Sequence, residues 1–303
     1  MRFEGLDLNL LVALDVLLTE KNITRASEKL LLSQSATSAA LARLRSYFDD
    51  ELLVQVGRNM VPTPMGESLF IPVNDLLMQA RTVLDNNKKF QPMLSRRKFR
   101  IMASDYVASI LLPKLNQKLY TLAPYCSIEQ FMPYSEAGKQ IQRGKVDILL
   151  LPERHVLLEH PSQALFEDDF ICVMWNGNPL KEKSLTLEDF KNAEHVLTRF
   201  GVDNTPMMDD WLVKNLDFKR KEAYITTNFY SVPQFLVNTP YIAIMHKRLA
   251  LQCATCLPLH LCALPWDVPK LTVCMQWNKF QENDSSLQWI RKLLIEVASE
   301  LVV

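Results

Sequence analysis

Leu30-Leu31-Leu32-Ser33-Gln34-Ser35-Ala36-Thr37-Ser38-Ala39-Ala40-Leu41-Ala42-Arg43-Leu44-Arg45 carries two signals at once. The first is a helix start. Ser33 is a good N-cap, because its hydroxyl can accept an orphan N–H of the first turn. The second is an unusual outer face. Thr37, Ala40, Leu41, Leu44 and Phe48 recur at helical spacing and form the buried stripe. Ser35, Ser38, Ala39 and Ala42 fall opposite, where a solvated helix would carry Lys and Glu. Small side chains let a backbone approach another surface closely. Arg43 and Arg45 flank the small face with charge suited to phosphates. Gln34, in the first turn, can pair bidentately with an adenine edge. The stretch reads as a helix that lies in a DNA groove; the alternative is a surface helix rich in Ala for propensity alone.

Its surroundings fit the groove reading. Leu6 to Thr19 is strongly apolar, with Leu6, Leu10, Leu14 and Leu17 along one side. Thr24 is expected to cap a short second helix, Arg25 to Leu31, and a tight turn at Leu32-Ser33 joins the two. That is the helix-turn-helix layout. Leu52–Val56 reads as a strand, Gly57-Arg58-Asn59 as a turn and Met60-Val61 as a return strand. This hairpin is a wing whose tip offers Arg58 to a minor groove or a phosphate. Acidic residues slightly outnumber basic ones over 1–65, yet none lies within 29–48. Affinity for DNA must therefore come from where charge is placed.

From Glu67 to Asn87, Leu69, Val73, Leu76, Ala80 and Val83 follow alternating steps of four and three. This is a heptad seam suited to pairing with a second copy, and Phe70, Leu77 and Leu84 widen it. Pro72 marks either its start or a kink. Lys88 to Arg97, charged and holding a proline, reads as a hinge. Three parts are expected: a DNA-binding domain at 1–65, a dimerising linker helix at 66–89 and an effector domain at 90–303. The last divides into lobe I, about 98–165 with 268–303, and lobe II, about 166–267.

Beyond the hinge, strand patterns alternate with helical ones. Strands are expected at Phe99–Ala103, Ser127–Met132, Val146–Leu151, Phe170–Trp175, His195–Phe200, Ala223–Thr227, Tyr241–Met245 and Leu271–Trp277. The pattern implies an α/β fold with largely parallel sheets, binding ligands at the carboxyl ends of strands.

The 303 residues carry formal net charge zero, 48% hydrophobic and 22% charged residues, which is ordinary globular composition. It argues against a chain that coats nucleic acid nonspecifically. Seven glycines leave little room for phosphate loops. Met1-Arg2-Phe3-Glu4 lacks a signal-peptide layout and no apolar run is of bilayer length, so a cytoplasmic protein without a membrane partner is expected. The six cysteines lie scattered, mostly in apolar runs, as reduced core residues would. Cys253 and Cys256 have redox or metal spacing but no second pair, and His260 alone does not complete a site; they read as structural. His155 and His160, with Glu153 and Glu159, read as a solvated loop, and Glu167-Asp168-Asp169 as solvent-facing acids. No nucleophile elbow or Walker loop is found, so neither an enzyme nor a bound metal or cofactor is expected.

The residues Leu6-Asp7-Leu8-Asn9-Leu10-Leu11, Asn22-Ile23-Thr24-Arg25-Ala26, Leu32-Ser33-Gln34, Ser38, Leu44, Asp50-Glu51-Leu52 and Val61-Pro62-Thr63-Pro64 resemble the LysR-type bacterial transcriptional regulators. The first fifteen residues resemble that family's nodulation-regulator branch. Arg97-Lys98-Phe99-Arg100-Ile101, Val146-Asp147-Ile148 and Met275-Gln276-Trp277 extend the resemblance over nearly the whole chain. It implies a winged helix-turn-helix, a dimerising linker helix and a two-lobed domain like the periplasmic binding proteins. It also implies tetramers that bend promoter DNA, activation switched by a small molecule between the lobes, and contact with RNA polymerase. By this resemblance Ser33, Gln34, Ser35 and Ser38 make recognition contacts, Arg25 and Arg58 flanking ones, and Thr63 a backbone one. The family usually has Pro where Ser35 stands, so the operator preference at that step can differ.

Ser104 and Asp105, and Tyr134-Ser135, match the family's cleft in the first lobe. Arg199, Phe200, Asn228 and Phe229 end strands on the opposite side. Serines and backbone N–H groups there would hold an anionic or phenolic group, Arg199 a carboxylate, and Tyr134, Phe200 and Phe229 an apolar wall. Capping helices or filling the lobe interface would equally account for each. The resembling branch suggests an aromatic or flavonoid-like effector. A different class remains open: a small-molecule-binding protein or enzyme on the α/β lobes, its N-terminal helices serving only to dimerise.

Overall fold

A computed structural model of the chain describes residues 2–3, 6–57, 59–85, 89–133, 137–199 and 207–301. The chain divides into two compact units, Met1–Lys89 with Gln142–Lys145, and Phe90–Ile141 with Val146–Val303.

The first unit begins with a short antiparallel pair, β1 (Arg2–Phe3) and β2 (Leu6–Asp7), then α1 (Asn9–Glu20). Leu6 thus lies in β2 and not on the apolar helix expected to begin there. Leu10, Leu11, Leu14, Leu17 and Leu18 of α1 are buried and form one core with Leu41, Leu44, Leu52 and Leu53. α2 (Ile23–Leu30) is capped by Asn22 and not by Thr24: the Asn22 side chain accepts the Arg25 N–H at 3.0 Å. Asn22 has the extended backbone an N-cap requires, whereas Thr24 already lies in the first turn. Leu31 turns left-handed, with φ 54°, and Ser33 then caps α3 (Gln34–Phe48) through the Ala36 N–H at 3.1 Å. The hairpin β3 (Leu53–Val56) and β4 (Asn59–Pro62) follows, and then α4 (Pro64–Asp85). Pro64 opens α4, where a missing N–H costs nothing, so the helix starts ahead of Pro72 and encloses it.

The second unit runs β5 (Lys98–Ala103), α5 (Asp105–Leu122), β6 (Ser127–Phe131), α6 (Ala137–Gln142), β7 (Ile148–Pro152), β8 (Ser162–Asp168), β9 (Phe170–Trp175) and α7 (Leu187–Asn192). It continues with β10 (Glu194–Thr198), α8 (Met207–Leu216), β11 (Lys221–Thr226), β12 (Ile242–His246), α9 (Lys247–Ala254), β13 (Leu259–Cys262), β14 (Leu271–Gln276) and α10 (Ser285–Ser299). The strands form two five-stranded sheets, ordered β6-β5-β7-β14-β8 and β11-β10-β12-β9-β13. Each sheet is the heart of one lobe. The chain crosses to the second lobe between β8 and β9 and returns between β13 and β14.

These crossings correct the expectation of largely parallel sheets. β5 pairs in parallel with β6 and β7, and β10 with β11 and β12. β14 runs antiparallel to β7 and β8, and β9 antiparallel to β12 and β13. A strand arriving from the other lobe enters from the far end, so its direction is reversed. β8, β13 and α9 were not legible in the sequence, and the crossing falls at Asp169, slightly later than expected.

One buried cluster runs through both lobes, from Phe99, Ile101, Leu111 and Leu115 to Val173, Ala243, Met245 and Leu249. In the first lobe the buried Asp147 carboxylate ties β5 to the turn before β7. It accepts the Arg100 main-chain N–H at 2.8 Å and the guanidinium at 2.9 and 3.3 Å. The Arg97 side chain adds a second pairing, to Asp284 ahead of α10, at 2.7 Å.

Candidate DNA-reading helix and effector cleft

On α3, Thr37, Ala40, Leu41 and Leu44 are buried, while Gln34, Ser35, Ser38, Ala39, Ala42 and Arg43 are exposed. The face of small residues is therefore presented to solvent over about three turns. The Gln34 amide donates to the Thr24 hydroxyl at 3.1 Å, so its head is held against α2 before any DNA arrives. The Ser33 and Ser35 hydroxyls lie 2.9 Å apart. Where the family usually has Pro, Ser35 adds a hydroxyl to the first turn.

The basic residues differ in what holds them. Arg25 is exposed and donates to the Glu20 carbonyl at 2.9 Å. Arg43 is exposed and lies 3.7 Å from Asp7. Arg45 is engaged by the wing: its guanidinium donates to the carbonyls of Glu51 at 2.8 Å and Leu53 at 2.7 Å, with the Glu51 carboxylate at 3.0 Å. The sequence placed Arg45 beside phosphates; in the structure it braces the wing against α3, because the chain turns back directly beneath it. Arg58 lies outside the described residues.

Thr63 is a joint of the same kind. Its hydroxyl donates to Asp50 Oδ1 at 2.6 Å and accepts the Gly66 N–H at 3.0 Å. Asp50 Oδ1 also accepts the Leu52 N–H at 2.6 Å. Leu52 is fully buried at φ 58°, and a Cβ on Gly66 would lie 2.3 Å from its carbonyl oxygen, so only glycine fits there. The expected backbone contact for Thr63 gives way to a role in capping α4 and closing the wing base.

The heptad seam of α4 splits. Leu69 and Val73 pack on the core of their own unit, where α4 lies against α1. Phe70 and Leu77 join them at its margin. Beyond them Leu76, Val83 and Leu84 are 47%, 70% and 75% exposed, with Ala80 beside them. A side chain can serve only one apolar surface, and the first half of α4 is taken by its own domain.

In the second unit, Ser104 caps α5 by accepting the Val107 N–H at 3.3 Å. Asp105 Oδ2 accepts the Tyr230 main-chain N–H at 2.7 Å, a bond from one lobe to the other. Burial pushes the Asp105 carboxyl above its ordinary range, opposed by the N–H groups of Tyr230 and its neighbours. Arg199 is not free for a ligand carboxylate. It lies 2.5 Å from the Glu222 carboxylate across the β10–β11 pair. Asn228 accepts the Ser231 N–H at 2.8 Å and turns the chain after β11. Tyr134, Ser135 and Phe200 lie outside the described residues.

Phe229 belongs to a cluster that sequence reasoning missed. The Tyr106 ring, in the first turn of α5, stacks on His246 at 3.9 Å and 4°. Phe229 meets His246 edge-on at 4.7 Å, and Phe170 lies 5.2 Å away. The Tyr106 hydroxyl donates to Asp168 Oδ2 at 2.5 Å. Asp168 also accepts the main-chain N–H groups of Asp169 at 2.9 Å and Arg248 at 3.3 Å. Burial raises the Asp168 carboxyl and lowers His246 to about 3, so that imidazole is neutral. The sequence took Glu167-Asp168-Asp169 as solvent-facing acids. Asp168 is instead buried, because the chain crosses between lobes there. Its one legible sign was an acid at the mouth of an apolar strand.

Among the described residues no cluster of three His, Cys, Asp or Glu could hold a metal. No helix among them is long and apolar enough to cross a membrane.

Residues 8–67 match the family model for the bacterial regulatory helix-turn-helix protein, lysR family. Residues 94–299 match the LysR substrate binding domain. The chain is 38% identical to nodulation protein D 1 of Bradyrhizobium elkanii, covering 99% of this chain and 96% of the relative. It is 37% identical to nodulation protein D 2 of Rhizobium tropici, covering 100% and 96%. A solved probable transcriptional regulator of Pseudomonas aeruginosa is 26% identical, with a TM-score of 0.66 over 95% of this chain and 96% of that one. Full-length OxyR of Pseudomonas aeruginosa, 16% identical, shares the fold at a TM-score of 0.79 over 98% and 96%.

Proposed function

This chain belongs to the LysR family of bacterial transcriptional regulators, and we propose how it works: α3 reads promoter DNA, and a small aromatic molecule between the lobes switches the outcome. The family shows a DNA-binding regulator with an effector-binding domain, not an enzyme. LysR-type regulators bind promoter DNA and small effectors, and they oligomerise.

The observation that carries the DNA reading is the exposed small face of α3, capped by Ser33 and led by Gln34. In our reading Gln34, Ser35 and Ser38 reach base edges, Arg43 and Arg25 meet phosphates, and Ser33, Thr63 and Arg45 hold the head in shape. Arg58 is proposed for the wing contact. Leu76, Ala80 and Val83, with Leu84, form the dimer seam, and two dimers make a tetramer. Residues 1–65, 66–89 and 90–303 act as reading head, linker and sensor. The regulator works in the cytoplasm, on DNA, and activates by contact with RNA polymerase.

For the effector, the supporting observation is Phe229 on the Tyr106–His246 stack, beside Asp105 and Ser104. An aromatic ring would extend that stack. Asp105 disfavours a strongly anionic ligand, so a phenol or flavonoid fits better than a carboxylate. Footprinting on the DNA upstream of its own gene tests the first part: half-sites separated by about one helical turn or multiples of it are expected. Thermal shift of the full chain against flavonoids, phenols and aromatic acids tests the second, since a ligand of the folded state raises the melting temperature. Absence of protection with folded protein contradicts the DNA reading. Stabilisation by aliphatic acids alone contradicts the effector class.

A further inference from the structure

All six cysteines are free thiols. Cys253 and Cys256 flank the end of α9, and burial raises Cys253. A different pair faces across two strands. The antiparallel register of β9 and β13 sets Cys172 directly opposite Cys262. Directly opposed residues in such a pair have Cα atoms about 4.5–5.5 Å apart. A disulfide bridges about 4.4–6.8 Å, so the backbone already has the required span.

The two sulfurs are unequal. Cys172 is fully buried and Cys262 half-buried on the edge strand of its sheet. The neighbouring Cys172 thiol holds Cys262 below the ordinary thiol range, while burial pushes Cys172 up. A reachable sulfur with more thiolate character is the attacking one, and a shielded neighbour resolves.

Their place in the chain matters as much. Cys172 lies in β9, just after the crossing at Asp169, and Cys262 ends β13, just before the return to β14. The pair joins the two strands that connect the lobes.

We propose that Cys172 and Cys262 are a redox-active dithiol that closes to a disulfide by exchange with a small-molecule disulfide, stapling the two inter-lobe connections together. The Cys262 thiolate attacks one sulfur of the small disulfide, forming a mixed disulfide and expelling one small thiolate. Cys172 then gives up its proton, attacks the Cys262 sulfur and expels the second thiolate. The protein loses two electrons and two protons, and two small thiols are formed.

Oxidised glutathione is the probe. The reduced full-length protein is incubated with it, quenched with acid, unfolded in alkylating reagent and mapped by peptide mass spectrometry. The expected result is a peptide link between Cys172 and Cys262 that persists in the Cys253→Ser/Cys256→Ser double variant. Cys172→Ser, or Cys172→Ala should the serine not fold, is expected to stop at a glutathione adduct on Cys262. The linked protein is expected to melt at higher temperature and to lose that gain with dithiothreitol. Recovery of Cys172 as an alkylated thiol from the unsubstituted chain, whatever Cys262 carries, overturns the proposal. A link with no change in melting overturns the staple.

Discussion

Asp105 and Tyr230 belong to different lobes, and the Asp105 carboxylate accepts the Tyr230 main-chain N–H at 2.7 Å. The bond joins the first turn of α5 to the loop after β11, at the strand ends where ligands of α/β sheets bind. Asp105→Ala removes it. A hydrogen bond to a charged acceptor contributes about 1.5–3 kcal/mol, so a loss of that order in unfolding free energy is expected. The effector concentration for half-maximal response is expected to move in the same variant and not in Asp209→Asn, on α8, whose carboxylate pairs with Arg220.

His246 and His195 make the sensor unit acid-sensitive. Burial lowers both, to about 3 and about 4, with Arg220 adding to the effect at His195. A histidine depressed in the folded state binds its proton more readily when unfolded, so stability falls as pH drops below about 6.5. At pH 5 each histidine costs about 2 kcal/mol relative to pH 7. Asp105 and Asp168, raised by burial, act oppositely: they gain stability as pH falls towards the ordinary carboxylate range. Chemical unfolding at pH 7 and pH 5 checks the balance. His246→Phe keeps the ring on Tyr106 and is expected to remove about 2 kcal/mol of the loss between pH 7 and pH 5.

Arg45 and Arg43 are two residues apart and are expected to fail in different ways. Arg45→Ala strands the Glu51 and Leu53 carbonyls and is expected to cost about 1–2 kcal/mol of stability. The salt dependence of DNA binding by its folded fraction stays unchanged. Arg43→Ala leaves stability alone and reduces the salt slope by about 1. Salt titrations beside melting curves separate the two.

On α4 the division falls between Val73 and Leu76. Val73→Ala opens a void in the first unit and is expected to cost about 1–3 kcal/mol. Leu76→Glu with Val83→Glu is expected to change stability by less than about 0.5 kcal/mol while producing a monomer in sedimentation. A dimer that survives the double change would place the seam elsewhere.

The helix-turn-helix was legible because it is local: Ser33, the apolar stripe and the small face lie within sixteen consecutive residues. The bracing role of Arg45 is not legible, because its acceptors belong to a wing whose backbone the sequence does not display. On α4 the sequence runs out for a related reason. Periodicity shows an apolar face but not its partner, and the face is long enough for two. The Tyr106–Asp168–His246 cluster is beyond any local pattern, since its members come from the start of α5 and the ends of β8 and β12. Asp168 looked solvated because charged residues usually are. Only the crossing of the chain buries it.

The most direct measurement compares Gln34→Ala with the unsubstituted protein on its own promoter DNA and on a scrambled duplex at one salt concentration. In the free protein Gln34 rests on Thr24, 3.1 Å away, poised at the first turn of α3. Losing a bidentate base contact costs about 1–3 kcal/mol on the promoter and leaves the scrambled duplex unaffected, so the specificity ratio is expected to fall about 5- to 150-fold. Equal losses on both duplexes, or none on either, would contradict the assignment of α3 to the groove.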